Sequence, residues 1–331
     1  MTLPMRNDTG HSLIELMFGL GIALAAVSAA YTVASTTDKA SVVNDQTTQM
    51  QQNARIAMEL LSSDIKMAGF GVTGPVGACN QAINPVDNNA AGSDTGPDSV
   101  SFAVPTAIST LTAQTNAPFN TIALQAGSVT TISSDGFAAG AIISIGGVTP
   151  GTVTGIAGDN LTLGTTVGLP VVYPAGTQVF WIRCITYNIG TTSAACSGNA
   201  PCLLRNGVAV AEGIEDLQLA YACDGCNNAV NGGAPDGIVD DHNASNSFDT
   251  ADFPSNNNWA VAPMTPDKIR LVRVSIVAKQ TRNDRDWHGT APMTLEDHDP
   301  TGDAGFSLTS YQQARRRTLT RVVQARNLGL F

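Results

Sequence analysis

The chain has 331 residues, of which only 13% are charged, and 27 acidic against 17 basic residues give a formal net charge of −10. That balance argues against a nucleic-acid-binding protein, which needs a clustered cationic face with stacking aromatics, and aromatics are 5% here. A charge-poor composition rich in Gly, Thr, Ser and Asn fits an exported, β-rich, loop-rich protein better than a cytosolic helical enzyme.

The first element is a polar leader, residues 1–10, closing on Gly10. Glu15 follows, and from Leu16 to Thr37 no residue is charged. At roughly 1.5 Å per residue that apolar run makes a helix about 33 Å long, enough to cross a hydrocarbon core. An ordinary secretory signal places the apolar stretch before the cleavage site and loses it on cleavage. Here the order is inverted, so a cut after Gly10 leaves the anchor on a mature chain beginning at His11. Glu15 is a lone carboxylate near one end of the apolar run, and an ionisable group in a membrane helix is costly unless paired or functional.

Gly10, Ser12, Leu13, Ile14, Glu15, Leu16 and Met17 reproduce a glycine, one variable residue and then S/T-L-I-E-L-M, and so resemble the prepilin family. His11 stands where that family usually has phenylalanine. The resemblance implies a prepilin peptidase that cuts after Gly10 and methylates the new amino terminus, and a role in filament assembly for Glu15. The anchor half of the helix is expected over 11–35. An amphipathic half follows over 36–69, where Met50, Ala54, Ala57, Met58, Leu61, Ile65 and Ala68 recur at spacings of three and four. Gly69, Phe70 and Gly71, with Pro75 behind them, mark its stop.

Residues 70–331 read as a head. From about 94 to 182, short Val/Ile/Thr runs broken by Gly, Asn, Asp and Pro predict a small antiparallel β subdomain, with GIAGDNLTL as two strands around a tight turn. No basic residue lies between Lys66 and Arg183, whereas eleven of the 17 lie from Lys268 onward. IRLVRVSIVAK, from Ile269, alternates imperfectly, as a strand with one covered face would, and GIEDLQLAY is its expected neighbour. The arginines Arg315, Arg316, Arg317, Arg321 and Arg326 are expected to form a charged face answering local carboxylates.

VAEGIEDLQLAYACD, APDGIVDDH, IRLVRVSIVAKQTR and the terminal YQQARRRTLTRVVQARNLGL resemble the PilW-type minor pilins. The resemblance implies an α+β, pilin-like fold, with one long N-terminal helix packed on an antiparallel β-rich periplasmic head. It also implies a low-copy subunit of a type IV pilus, acting in assembly or initiation near the tip. Its partners would be other minor and major pilins and the inner-membrane assembly machinery. Before assembly the chain would be single-pass in the inner membrane with its head in the periplasm. A minor pseudopilin of a type II secretion system shares the leader and helix, and a membrane-anchored periplasmic adhesin is also compatible with the sequence. An anchored enzyme would need a polar constellation in the head; none stands out, and no cofactor is expected.

Six cysteines, Cys79, Cys184, Cys196, Cys202, Cys223 and Cys226, all follow the apolar segment, as in an oxidising compartment. The shortest loops close at least entropy cost, which pairs Cys196 with Cys202 and Cys223 with Cys226 and leaves Cys79 for Cys184. Cys223-Asp-Gly-Cys226 could also serve as a redox pair or half a zinc site. Zinc needs two more ligands, however, and only His242 is near in sequence, so a structural disulfide is the preferred reading. Asp236 and Asp240, around Gly237 and with Asp224 upstream, form an oxygen-rich loop that could hold calcium, without the spacing of a complete EF-hand. His242, His288 and His298 show no metal-ligand spacing and read as ordinary loop histidines.

Overall fold

The computed structural model describes residues 12–72, 74–86, 96–116, 119–164, 172–196, 198, 201–227, 231–255, 259, 262–284, 287–289 and 291–328. The chain divides into two bodies, Met1–Gln49 and Met50–Phe331. Helix α1 (Leu13–Met67) begins in the first and ends in the second. From Leu13 onward the first body is helix, apolar on every side over its early turns: Leu13, Phe18 and Ile22 are 77%, 71% and 70% exposed. A helix uniformly apolar around its circumference requires a lipid or protein surround.

In the second body α1 is amphipathic, with Met50, Ala54, Ala57, Met58, Leu61, Ser62 and Ile65 buried on one face. It stops where Gly69 and Gly71 adopt φ of 82° and 69°, a conformation that favours glycine. Space dictates glycine there as well. A Cβ on Gly69 would lie 3.1 Å from both Ala82 and Leu328, and one on Gly71 would lie 2.3 Å from the Ser144 hydroxyl.

Every strand pairing among the described residues of the head is antiparallel. One sheet is built from β1 (Ile83–Val86), β2 (Ser99–Thr110), β3 (Thr121–Ala123), β4 (Ile142–Ile145), β5 (Thr149–Ala157), β6 (Asn160–Leu163), β7 (Gln178–Gly190), β8 (Cys202–Arg205) and β9 (Val208–Glu212). Its order is β1-β2-β7-β4-β5-β6-β3, and β8 pairs with both β7 and β9. Strands β5 and β6 form a hairpin across Gly158 and Asp159, the turn expected in GIAGDNLTL. Asp159 then accepts backbone N–H bonds from Gly127 and Val129 at 2.8 and 3.0 Å, which orders the start of the short helix α2 (Ser128–Ser133). Those N–H donors hold the Asp159 carboxyl below its ordinary pKa.

The second sheet is β10 (Ile214–Cys223), β11 (Ile269–Lys279) and β12 (Arg316–Gln324), with β11 central. A helical turn α3 (Leu308–Gln312) precedes β12. Leu61 and Ile65 of α1 share one core with Phe102 and Tyr187 of the first sheet and Leu219 and Val274 of the second, so the helix face covers both sheets. Each such leucine or isoleucine side chain contributes roughly 1.5–3 kcal/mol by burial. The imperfect alternation of β10 and β11 has a plain cause. Leu217, Leu219 and Tyr221 face the helix core, while Ala220 and Ala222 pack under Phe253 on the opposite face. Both faces are covered, so neither needs to be polar. A separate core within residues 111–181, including Leu111, Phe137, Ile143, Leu161 and Trp181, supports the strands around β4, β5 and β6.

Candidate functional site

Two regions carry the chemistry: the start of α1 and the loops at one end of β10. Gly10 and His11, the expected processing pair, lie outside the described residues. Glu15 sits in the first turn of α1, exposed among exposed apolar residues. By length and composition α1 is the one helix among the described residues that could cross a membrane, and the apolar window that qualifies it is 0% buried.

The cysteines pair as Cys79–Cys184, Cys196–Cys202 and Cys223–Cys226. The first ties the loop after α1 to β7 across 105 residues of sequence. A polar cluster reinforces the same junction: the Tyr187 hydroxyl donates to Asp64 at 2.7 Å, and Arg205 donates to Asp64 at 3.0 Å. Burial and the Asp64 charge both push the Tyr187 pKa up, so its proton stays on as a donor. This helix-to-sheet clamp joins residues more than a hundred positions apart, and the sequence gives no local sign of it.

Beyond β10, acidic side chains fold the loop by accepting backbone N–H bonds. Asp224 accepts from Asp236 and Gly237 at 2.8 and 3.1 Å and faces Arg270 at 3.4 Å. Asp236 accepts from Ile238 at 2.9 Å. Asp240 turns the other way and accepts from Gly225, Cys226 and Asn227 at 3.1, 2.7 and 2.7 Å. Its own N–H returns to the Cys223 carbonyl at 2.8 Å. The structure therefore brings Asp240 to Cys223, Cys226 and His242, whose ligand atoms all lie within 4.8 Å of one another, rather than to Asp224 and Asp236.

A histidine read as an ordinary loop residue is otherwise placed. His298 is 3% exposed and lies between Asp216, 2.8 Å from Nδ1, and Asp303, 3.0 Å from Nε2. Burial opposes its cation, but the two carboxylates outweigh burial and raise its pKa to about 9. It borders a pocket of about 320 Å³ that also reaches Glu215, Lys279 and Arg316. Burial works against ionisation of Glu215 too, yet Arg316 and Lys279, the latter at 3.2 Å, hold its pKa below the ordinary value. The charges of this pocket are thus paired within its own wall. Of the C-terminal arginines, Arg315 faces Asp284 at 3.3 Å and Arg321 faces Glu59 of α1 at 3.1 Å. Arg315 also stacks 3.9 Å over Trp287.

Residues 186–327 match the family model for type IV pilus-assembly protein W, PilW. The matched stretch runs from within β7 to just past β12 and contains the second sheet, the acidic loop and the arginine strand, so the likeness to PilW rests on these features. No curated protein and no solved structure matched the chain.

Proposed function

We propose that this chain, PilW-type over most of its head, is a low-copy subunit of a type IV pilus that acts in pilus assembly or initiation near the tip. It is a structural subunit and not an enzyme. In this reading a prepilin peptidase cuts after Gly10 and methylates His11, and the apolar start of α1 holds the chain in the inner membrane with the head in the periplasm. Other minor and major pilins and the inner-membrane assembly machinery are its partners. The observation that carries the reading is the uncovered apolar first body of α1, which opens on the Gly10 to Met17 signature. Such a surface is stable in lipid, and afterwards among parallel helices of neighbouring subunits.

Glu15 gives that transfer a register. Each mature amino terminus is a cation, and the Glu15 carboxylate can meet the terminus of an adjacent subunit. Desolvation offsets much of the attraction, so the pair acts mainly through the penalty for leaving one partner unmatched. Replacing Glu15 by Val is expected to leave membrane insertion and the cut after Gly10 intact while removing the chain from sheared pili. Wild-type abundance of Glu15→Val in pili, with normal piliation, would show that Glu15 is only a boundary residue.

A further inference from the structure

Cys223 ends β10 and Cys226 lies three residues on, 0% and 1% exposed. Over them stands the His242 ring, with Nε2 3.6 Å from the Cys223 sulfur and 3.3 Å from the Cys226 sulfur. Its backbone is fixed, because the His242 N–H donates to Asp252 at 2.8 Å and Asp252 is wholly buried. Asp240, 2% exposed, completes the group. A disulfide needs neither an imidazole aimed at its sulfurs nor a buried carboxylate at its side. Two thiolates, one imidazole nitrogen and one carboxylate oxygen, however, are the donor set of a tetrahedral zinc site.

We propose that Cys223, Cys226, His242 and Asp240 form a Zn²⁺ site when the two cysteines are thiols, in exchange with the disulfide form. Sulfur and imidazole donors select zinc over calcium or magnesium, which take oxygen. In the acidic loop, Asp240 Oδ2 accepts two backbone N–H bonds and Oδ1 one, which makes Oδ1 the better placed fourth ligand. These N–H donors also temper the charge that two thiolates and a carboxylate bring together. His242 is the least buried member of the group, giving the ion a way in.

The chemistry balances. Zn²⁺ displaces one proton from each thiol and is held by the two thiolates. A disulfide-type oxidant later takes two electrons from those sulfurs, its own S–S bond breaks as the Cys223–Cys226 bond forms, it takes two protons from water to leave as two thiols, and Zn²⁺ is released. A chain that meets zinc before it meets an oxidant would therefore carry the metal, and one that meets the oxidant first would carry the bridge.

The test uses the full chain in detergent, reduced with a phosphine and titrated with Co²⁺ as the probe, with Zn²⁺ added last. The expected result is a thiolate-to-cobalt absorption band with tetrahedral visible bands, saturating at one equivalent and bleached by Zn²⁺. The band should survive in Cys196→Ser/Cys202→Ser, be lost in Cys223→Ser/Cys226→Ser, and be lost or strongly weakened in His242→Ala. No such band in the wild type, or an unchanged one in His242→Ala, overturns the site. A second readout does not depend on any variant: the reduced wild type should form the Cys223–Cys226 disulfide several-fold more slowly with Zn²⁺ present than without it, as followed by alkylation after chelation. Equal rates with and without Zn²⁺ also overturn it.

Discussion

His298 should make the stability of the head fall at alkaline pH. Its folded pKa of about 9 stands above the ordinary 6.5. The cation therefore stabilises the fold fully below 6.5, and that contribution is lost as pH rises through 9. The shift corresponds to at most about 3 kcal/mol. About 2 kcal/mol is the better figure, because Asp303 is 34% exposed and its charge is screened by water. The perturbation is His298→Gln, which keeps a hydrogen-bonding side chain but cannot titrate. Urea unfolding of the full chain in detergent, with its disulfides intact, can be followed by tryptophan fluorescence from about pH 6 to about pH 10. The wild type should lose about 2 kcal/mol across that range relative to the variant, the two converging at the alkaline end. Parallel curves for wild type and variant would refute the reasoning, since the Asp216 and Asp303 contacts would then not favour the protonated ring.

Four other outcomes follow from the packing and the loops. Leu61→Ala, at a fully buried helix position, should cost about 3 kcal/mol in the same unfolding assay. Opening the Cys79–Cys184 bridge by a double serine substitution should cost about 4 kcal/mol, because it closes a span of 105 residues. Arg321→Ala should change stability by less than about 0.5 kcal/mol, since both it and its partner Glu59 are largely exposed. For the acidic loop, we propose that calcium raises the melting temperature of the wild type but not of Asp236→Asn; an unchanged wild-type curve would mean that the N–H donors and Arg270 hold the loop unaided.

The parts of the fold legible in sequence are those set by local pattern. The buried face of α1 follows the three-and-four spacing from Met50 to Ile65. β10 neighbours β11, and the β5–β6 turn falls within GIAGDNLTL. What the sequence hid depends on residues far apart in the chain. The apolar run of β10 reads as irregular alternation because the cover on its second face, Phe253, arrives from a later loop. His298 looks ordinary until Asp216, 82 residues away, is set beside it. His242 is the nearest histidine to the CxxC in sequence, but zinc needs two further ligands, and by sequence Asp240 belongs to the acidic loop. Only the return of the loop to the Cys223 carbonyl places Asp240 and His242 together at the sulfurs.

The central claim, that this chain enters a pilus carrying its apolar helix, is tested most directly by intact mass spectrometry of the chain recovered from sheared pili and from the membrane fraction. The account predicts one mature form in both, beginning at His11 and bearing a single N-terminal methyl group. Absence of the chain from the pili, or a mature form that has lost the apolar segment after Leu16, would contradict it.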